Sequence, residues 1–202
     1  MTQGQEIVVR DRFDVPEKAV AERKFQAIRA FQALVHSQMV AGLDYGVIPG
    51  TQRPTLLKPG AEKITKLLGL SDTYQVIAEI KDWDKPFFEF EIRCTLSTGD
   101  GVVSEGLGEC NSMEARYRWR EAKPVCPACE QETVFRSKQP GQGWYCWKKR
   151  GGCGQTFASG NSAIESQKMG RIPNDDIYSQ VNTLLKMARK RALVDAALSA
   201  GR

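Results

Sequence analysis

Apolar residues between positions 14 and 40 return at helical spacing. Ala21, Phe25, Ile28, Phe31, Val35 and Met39 form one stripe, which predicts a long helix. Asp14 suits its cap and Pro16 its first turn; Glu17 stands three residues after the cap, and Gly42 ends the helix. His36, the one histidine in the chain, falls on this helix and reads as structural. Gly and Pro then break the period through DYGVIPGTQRPTLLKPG (44–60), a loop with structure of its own. Pro59 and Gly60 lead into a short helix, AEKITKLLGL, closing near Gly69.

Beyond Gly69 the period becomes two. In TYQVIAEIKDW (73–83), Val76, Ala78 and Ile80 alternate with Gln75, Ile77 and Glu79. In PFFEFEIRCTLS (86–97), Phe88, Phe90, Ile92 and Cys94 alternate with Glu89, Glu91 and Arg93. A third, glycine-rich stretch, GVVSEGLGECNS (101–112), has a weaker strand signal. Turn residues separate the three, so the pattern predicts a three-stranded antiparallel meander. The helical period resumes in NDDIYSQVNTLLKMARKRALVDAALS (174–199), with Asn174 or Asp175 as cap and Gly201 as stop. Ile177, Val181, Leu184, Ala188 and Ala192 share one face of this helix. Lys186 and Lys190 lie opposite, Arg189 lies to one side of them, and Arg191 flanks the apolar stripe. The fold class expected is α+β.

Four of the six cysteines interrupt this plan. Cys126 and Cys129 form a C-x-x-C pair, sixteen residues separate them from Cys146, and six more separate Cys146 from Cys153. Four thiolates at such spacing suit a tetrahedral structural zinc site of the ribbon type, a closed shell that stabilises rather than catalyses. The Gly151–Gly152–Cys153–Gly154 run would let the backbone turn sharply around the metal. A redox pair would need a thioredoxin-like strand–helix setting, which is absent here. Cys94 and Cys110 fall in strands and read as small core residues. The expected division is an α+β core from residues 1–112 and 161–202, with an inserted zinc module over 113–160.

The chain of 202 residues is 41% hydrophobic and 26% charged, enough to bury a core. It carries no secretory leader and no apolar run of the roughly 18 residues a membrane span needs, so a cytosolic protein is expected. Reduced thiols there favour metal over disulfide. The net charge of +5 is unevenly spread. Residues 1–110 hold 13 Lys and Arg against 16 Asp and Glu, residues 111–160 hold 9 against 4, and residues 161–202 hold 7 against 4. A basic C-terminal half points to a polyanion. Around the cysteines Arg136, Lys138, Trp144, Tyr145, Trp147, Lys148, Lys149 and Arg150 interleave cations with aromatic rings, and RYRWR (Arg116, Arg118, Arg120) precedes them. Cations attract phosphates and rings stack on unpaired bases. One of Trp144 and Trp147 is expected to fill the module's small core.

There is no phosphate-binding G-x-x-x-x-G-K-[ST] loop, so ATP use is not expected. One histidine leaves little scope for nucleophilic catalysis. Glu105, Glu109 and Glu114 lack the recurring pattern of a two-metal nuclease, so no enzyme is expected.

The order of elements resembles the single-strand annealing proteins of phage recombination systems and the eukaryotic annealing mediator Rad fifty-two. The likeness covers roughly residues 45–112 and 175–201. It rests on LLKPGAEKITKLLGL with Gly60, on a meander ending SEGLGECNS, and on Lys190-Arg191-Ala192-Leu193 in the last helix. The chain departs from the mediator at Glu62 and Val194, where that branch has basic residues, and in the cysteine insertion. The resemblance implies a β-β-β-α fold, a ring or filament of identical subunits, and single-stranded DNA held in a basic groove between sheet and helix. Lys190 and Arg191 would touch its backbone. It also implies a phage or mobile-element protein acting in recombination and repair in a bacterial host cytoplasm, beside an exonuclease or single-strand-binding protein. The DNA-binding candidates are Lys63, Arg116, Arg118, Arg120, Lys148, Lys149, Arg150, Lys186, Arg189, Lys190 and Arg191. The alternatives are a zinc-ribbon nucleic-acid-binding adaptor in replication or transcription, and a metal-dependent nuclease using Glu105 and Glu109.

Overall fold

The computed structural model describes residues 17–139 and 141–201. Helix α1 (Lys18–Gln38) is followed by a short hairpin of β1 (Tyr45–Gly46) and β2 (Thr55–Leu56), then helix α2 (Lys58–Leu67). Three long strands come next: β3 (Ser71–Asp82), β4 (Phe87–Thr98) and β5 (Gly101–Asn111). A single turn, α3 (Ala115–Arg118), leads to β6 (Trp119–Ala122) and the cysteine segment. That segment contains β7 (Val134–Arg136), β8 (Trp144–Cys146), β9 (Thr156–Phe157) and α4 (Ser162–Glu165). Strand β10 (Gly170–Pro173) returns to the long helix α5 (Val181–Ala200). The chain is α+β, and its paired strands are antiparallel.

Strand β4 is the centre of the main sheet, between β3 and β5. Phe88, Phe90, Ile92, Cys94 and Leu96 are all at most 2% exposed, so one whole face of β4 is covered. Helix α5 covers it with Leu184, Ala188, Ala192, Leu193, Ala196 and Ala197. Burying Phe88, Phe90, Ile92 and Leu96 stabilises the fold by about 1.5–3 kcal/mol per side chain, before ordering costs. Cys94 and Cys110 are buried in the same cluster, and burial pushes both thiols up to about 11, so they remain neutral.

The outer edge of β5 is closed by α5. The Leu107 N–H donates to the Asp195 carboxylate at 3.0 Å, and Arg191 donates to the Glu109 carbonyl at 2.5 Å. Edge groups that would otherwise template another strand are therefore engaged. Strand β3, at the other edge, departs from the expected alternation. A bulge between Val76 and Ala78 shifts its register: Val76 opposes Ile92, whereas Ala78 and Ile80 oppose Glu91 and Glu89 on the other face. Val76, Ile77 and Ile80 are all at least 40% exposed.

Three other expectations are corrected. Helix α1 has its predicted stripe but no buried residue, and Phe25 is 63% exposed; only its C-terminal end, through Phe31, Val35 and Met39, lines an apolar cleft with Leu56 and Ile64. The helix begins at Lys18; Asp14 and Pro16 lie outside the described residues. Helix α2 begins at Lys58, so Pro59 and Gly60 sit in its first turn rather than ahead of it. Helix α5 begins at Val181 after a tight turn over Ile177–Gln180. Asn174 and Asp175 do not cap it. Asn174 donates to the Tyr117 carbonyl at 2.9 Å, and Asp175 holds Arg120.

The 44–60 loop is pinned by Asp44, which is fully buried. Its carboxylate accepts the Val40 N–H at 2.8 Å and the Lys63 ammonium at 2.5 Å. Gly60 packs on the Asp44 carbonyl, and a side chain there would overlap it. Lys63 first, then the Val40 N–H, hold the Asp44 carboxyl below its ordinary value against the opposing effect of burial. A lowered folded value means that this stabilisation is complete above the ordinary carboxylate range and is lost as pH falls through the folded value. Melting curves of native protein and Asp44→Asn should therefore differ most near neutrality, and the gap should shrink below about pH 4. A gap independent of pH would refute the ion pair as its source.

Candidate metal centre and nucleic-acid interface

Strands β6 and β10 pair over Trp119–Ala122 and Gly170–Pro173, forming a stem for the residues between them. The cysteine module built on this stem runs past the expected boundary at residue 160. Ile164 of α4 is fully buried with Cys126, Val134 and Cys146, and the Val125 N–H donates to Gln167 at 2.7 Å. Residues 161–169 thus belong with the cysteines, not with the α+β core.

Cys126 and Cys129 flank a turn in which the Glu130 N–H donates to the Cys126 carbonyl at 2.8 Å, with Glu130 at φ 58°. Cys146 ends β8. The six residues before Cys153 contain a tight turn over Lys148–Arg150 and a left-handed Gly151, which explains the wide second pair. Gly152 packs so closely on Cys146 and Thr133 that any side chain there would overlap the Cys146 sulfur.

All four Sγ atoms lie within 4.8 Å of one another. Cys126 and Cys153 are 3.7 Å apart, and Cys129 and Cys146 are 3.6 Å apart. A tetrahedron with metal–sulfur bonds of about 2.3 Å has edges of about 3.8 Å, so these residues can hold a metal ion; a disulfide would need about 2.05 Å. The Thr133 hydroxyl lies 3.1 Å from Cys146 Sγ, and the Cys153 N–H donates to that sulfur at 3.3 Å. The Thr133 hydrogen bond first, with the backbone N–H groups, lowers the Cys146 thiol to about 6. Burial raises Cys126 to about 11, so a cation is what would make it a thiolate. Among the described residues no other group of three or more His, Cys, Asp or Glu is so arranged. Glu105 accepts from Thr95 at 2.9 Å and Glu109 from Asn111 at 3.1 Å. Four positions apart on one strand, their backbones are about 13 Å apart, and they are in no group that could hold a metal among the described residues.

The basic candidates fall in four settings. Lys186, Arg189 and Lys190 line an open groove of about 740 Å³ between α2, β3 and α5. Lys58 and Lys66 line it too, so five cations face two carboxylates, Glu62 and Asp72, and Lys58 pairs with Glu62 at 2.9 Å. Arg189 lies 4.3 Å over the Tyr74 ring. Sequence reading missed Lys58, Lys66 and Tyr74, although the spacing of eight residues put both lysines on one face of α2. Three other candidates are committed to internal partners. Arg191 pairs with Glu114 through two bonds of 2.5 and 2.8 Å, Arg120 pairs with Asp175 through two of 2.7 and 2.9 Å, and Lys63 pairs with buried Asp44. Arg118 stacks at 5.0 Å on Trp119, which Arg171 also approaches at 5.0 Å, and Arg116 lies 3.8 Å from Glu114. Lys148, Lys149 and Arg150 are exposed on the module.

Comparison with protein-family models, curated proteins and solved structures finds no match. Among the described residues no helix is long and apolar enough to cross a membrane.

Proposed function

We propose that this chain binds single-stranded DNA and anneals complementary strands without nucleotide hydrolysis, as a recombination and repair factor of phage or mobile-element type. The observation that carries the reading is the α2–β3–α5 groove, with its five cations and the Tyr74 ring under Arg189. The three chain-ordered antiparallel strands under α5 support assignment to the β-β-β-α annealing fold. In this reading the cysteines hold a structural zinc ion, and identical subunits assemble into a ring or filament that works beside an exonuclease or single-strand-binding protein. Lys66, Lys186, Arg189 and Lys190 neutralise backbone phosphates, while Lys58 is paired with Glu62. Pairing then proceeds downhill by about 1.4 kcal/mol per base step, which removes the need for ATP.

Two complementary dye-labelled oligonucleotides, mixed with and without the protein and without ATP, test this reading. Annealing is expected to accelerate at stoichiometric protein. Affinity for a single strand should fall with salt, and the slope should become shallower by about 1.4 in Lys186→Ala/Lys190→Ala, at about 0.7 per lost phosphate contact. Arg191→Ala should instead lower thermal stability, because its guanidinium is spent on Glu114 and the β5 edge. Salt-independent binding, or no binding, refutes the reading and favours the zinc-ribbon adaptor, for which protein contacts are the main role.

A further inference from the structure

The cysteine module presents two different faces. Val134, Cys146 and Trp144 point inward, and Trp144 is fixed by an Nε1–H donated to Glu165 at 3.1 Å. Phe135 and Tyr145 oppose each other across β7 and β8 on the other face, where Trp147 joins them. Phe135 and Trp147 meet edge to face with ring centres 5.4 Å apart, and Phe135 and Tyr145 are 6.3 Å apart. All three rings are half-buried, not sealed. Arg150 lies 5.0 Å over Trp147 and 5.5 Å over Phe135. These rings open into a groove of about 1230 Å³ to which Arg136, Lys138 and Lys148 also contribute, and none of its described lining residues is acidic.

These three rings lie outside the module's buried cluster. That cluster is on the metal side, so the outer rings bring apolar surface to water without filling the core. Half-buried rings fixed on a hairpin, with the Arg150 guanidinium over two of them and cations along the wall, match the chemistry of unpaired nucleobases on a polyanionic backbone. An acidic peptide would satisfy the cations but would leave the rings without flat partners.

We infer that the outer face of the cysteine module, built on Phe135, Tyr145 and Trp147, is a second single-strand site that stacks unpaired bases, separate from the phosphate-binding α2–β3–α5 groove. The inference rests on the proposal that the ligand is single-stranded nucleic acid. It gives the two surfaces different tasks: one reads backbone charge, the other holds base faces.

The test uses the full chain with its metal bound and two labelled oligonucleotides of equal length, oligothymidylate and its abasic counterpart. Both carry the same phosphates, but only one carries bases. The native chain should bind the abasic strand at least about fivefold more weakly, the lower bound for one lost base–ring stack. That ratio should fall toward one in Phe135→Leu/Trp147→Leu, and should persist in Lys186→Ala/Lys190→Ala, which weakens both strands together. Tyr145→Leu is a second, milder variant, and metal content is measured in each to show that the module is folded. Equal binding of the two strands by the native chain overturns the inference and leaves the annealing proposal standing. So does a base-dependence that survives in both ring variants, which would assign stacking to Tyr74 and leave the module to an acidic protein partner. Binding to neither strand is the different outcome, refuting the annealing proposal itself.

Discussion

Stripping the metal from the four cysteines is expected to unfold residues 123–169 while the sheet and α5 stay folded. The buried cluster of the module consists of Cys126, Val134, Cys146 and Ile164, and two of these four belong to the cysteine group that could hold a metal. Val134 and Ile164 together contribute about 3–6 kcal/mol of burial. Two apolar side chains cannot offset the conformational entropy lost in ordering a segment of this size, so apolar burial alone does not hold it. A metal held by four thiolates only in the folded state would add its binding free energy to the folding of the module. One zinc ion per chain should be released to a chelating dye. The metal-free protein should then be cut by trypsin at Arg136, Lys138 and Lys148–Arg150, while 17–118 and 181–201 resist. Cys126→Ser or Cys146→Ser should reproduce this without a chelator. Cys94→Ser should leave the metal stoichiometry unchanged, since Cys94 lies in the other core. Metal-free protein with an unaltered digestion pattern would refute a structural metal.

The parts legible in the sequence are those where one period dominates a buried surface. Phe88 to Leu96 alternate because one face of β4 is wholly covered, and the C-x-x-C pair is local chemistry. The parts that were not legible depend on partners far along the chain. Arg191 reads as one more helix cation, yet its carboxylate partner, Glu114, is 77 residues away. Asn174 and Asp175 have cap chemistry, but Tyr117 and Arg120 engage them first. The bulge at Ile77 adds a residue that a period-two pattern cannot register, so Ala78 and Ile80 change faces. The stripe on α1 was legible, but whether it is buried was not, because periodicity fixes a face and not what covers it. The cationic groove draws on three separate segments, so no local pattern marks Lys58 or Lys66 as part of it.

The glycines of β5 had the opposite effect from the one they suggested. They weaken the strand signal, yet they are the reason α5 can lie where it does. A β-carbon on Gly106 would stand 2.6 Å from the Ala192 carbonyl oxygen and 2.8 Å from Ala196 Cα. One on Gly108 would overlap the backbone of Ala188 and Ala192 and come within 2.9 Å of Arg191 Cβ. The obstructing atoms are mostly backbone, which cannot rotate aside, so the helix must lift. Lifting α5 uncovers Leu184, Ala188, Ala192 and Ala196, and pulls Arg191 and Asp195 off the β5 edge. Overpacked cores ordinarily lose about 1–3 kcal/mol, and here the edge contacts go as well. Gly108→Ala is therefore expected to cost about 3 kcal/mol, and Gly108→Val to prevent stable folding of a domain of ordinary stability. Gly99 meets nothing within 4 Å, so Gly99→Ala is the matched control and should change stability by under about 1 kcal/mol. Urea melts of the three variants measure these costs. If Gly108→Ala matched Gly99→Ala, α5 would not be seated on β5 at this distance. The groove lined by Lys186, Arg189 and Lys190 would then lose the fixed wall that holds those side chains together.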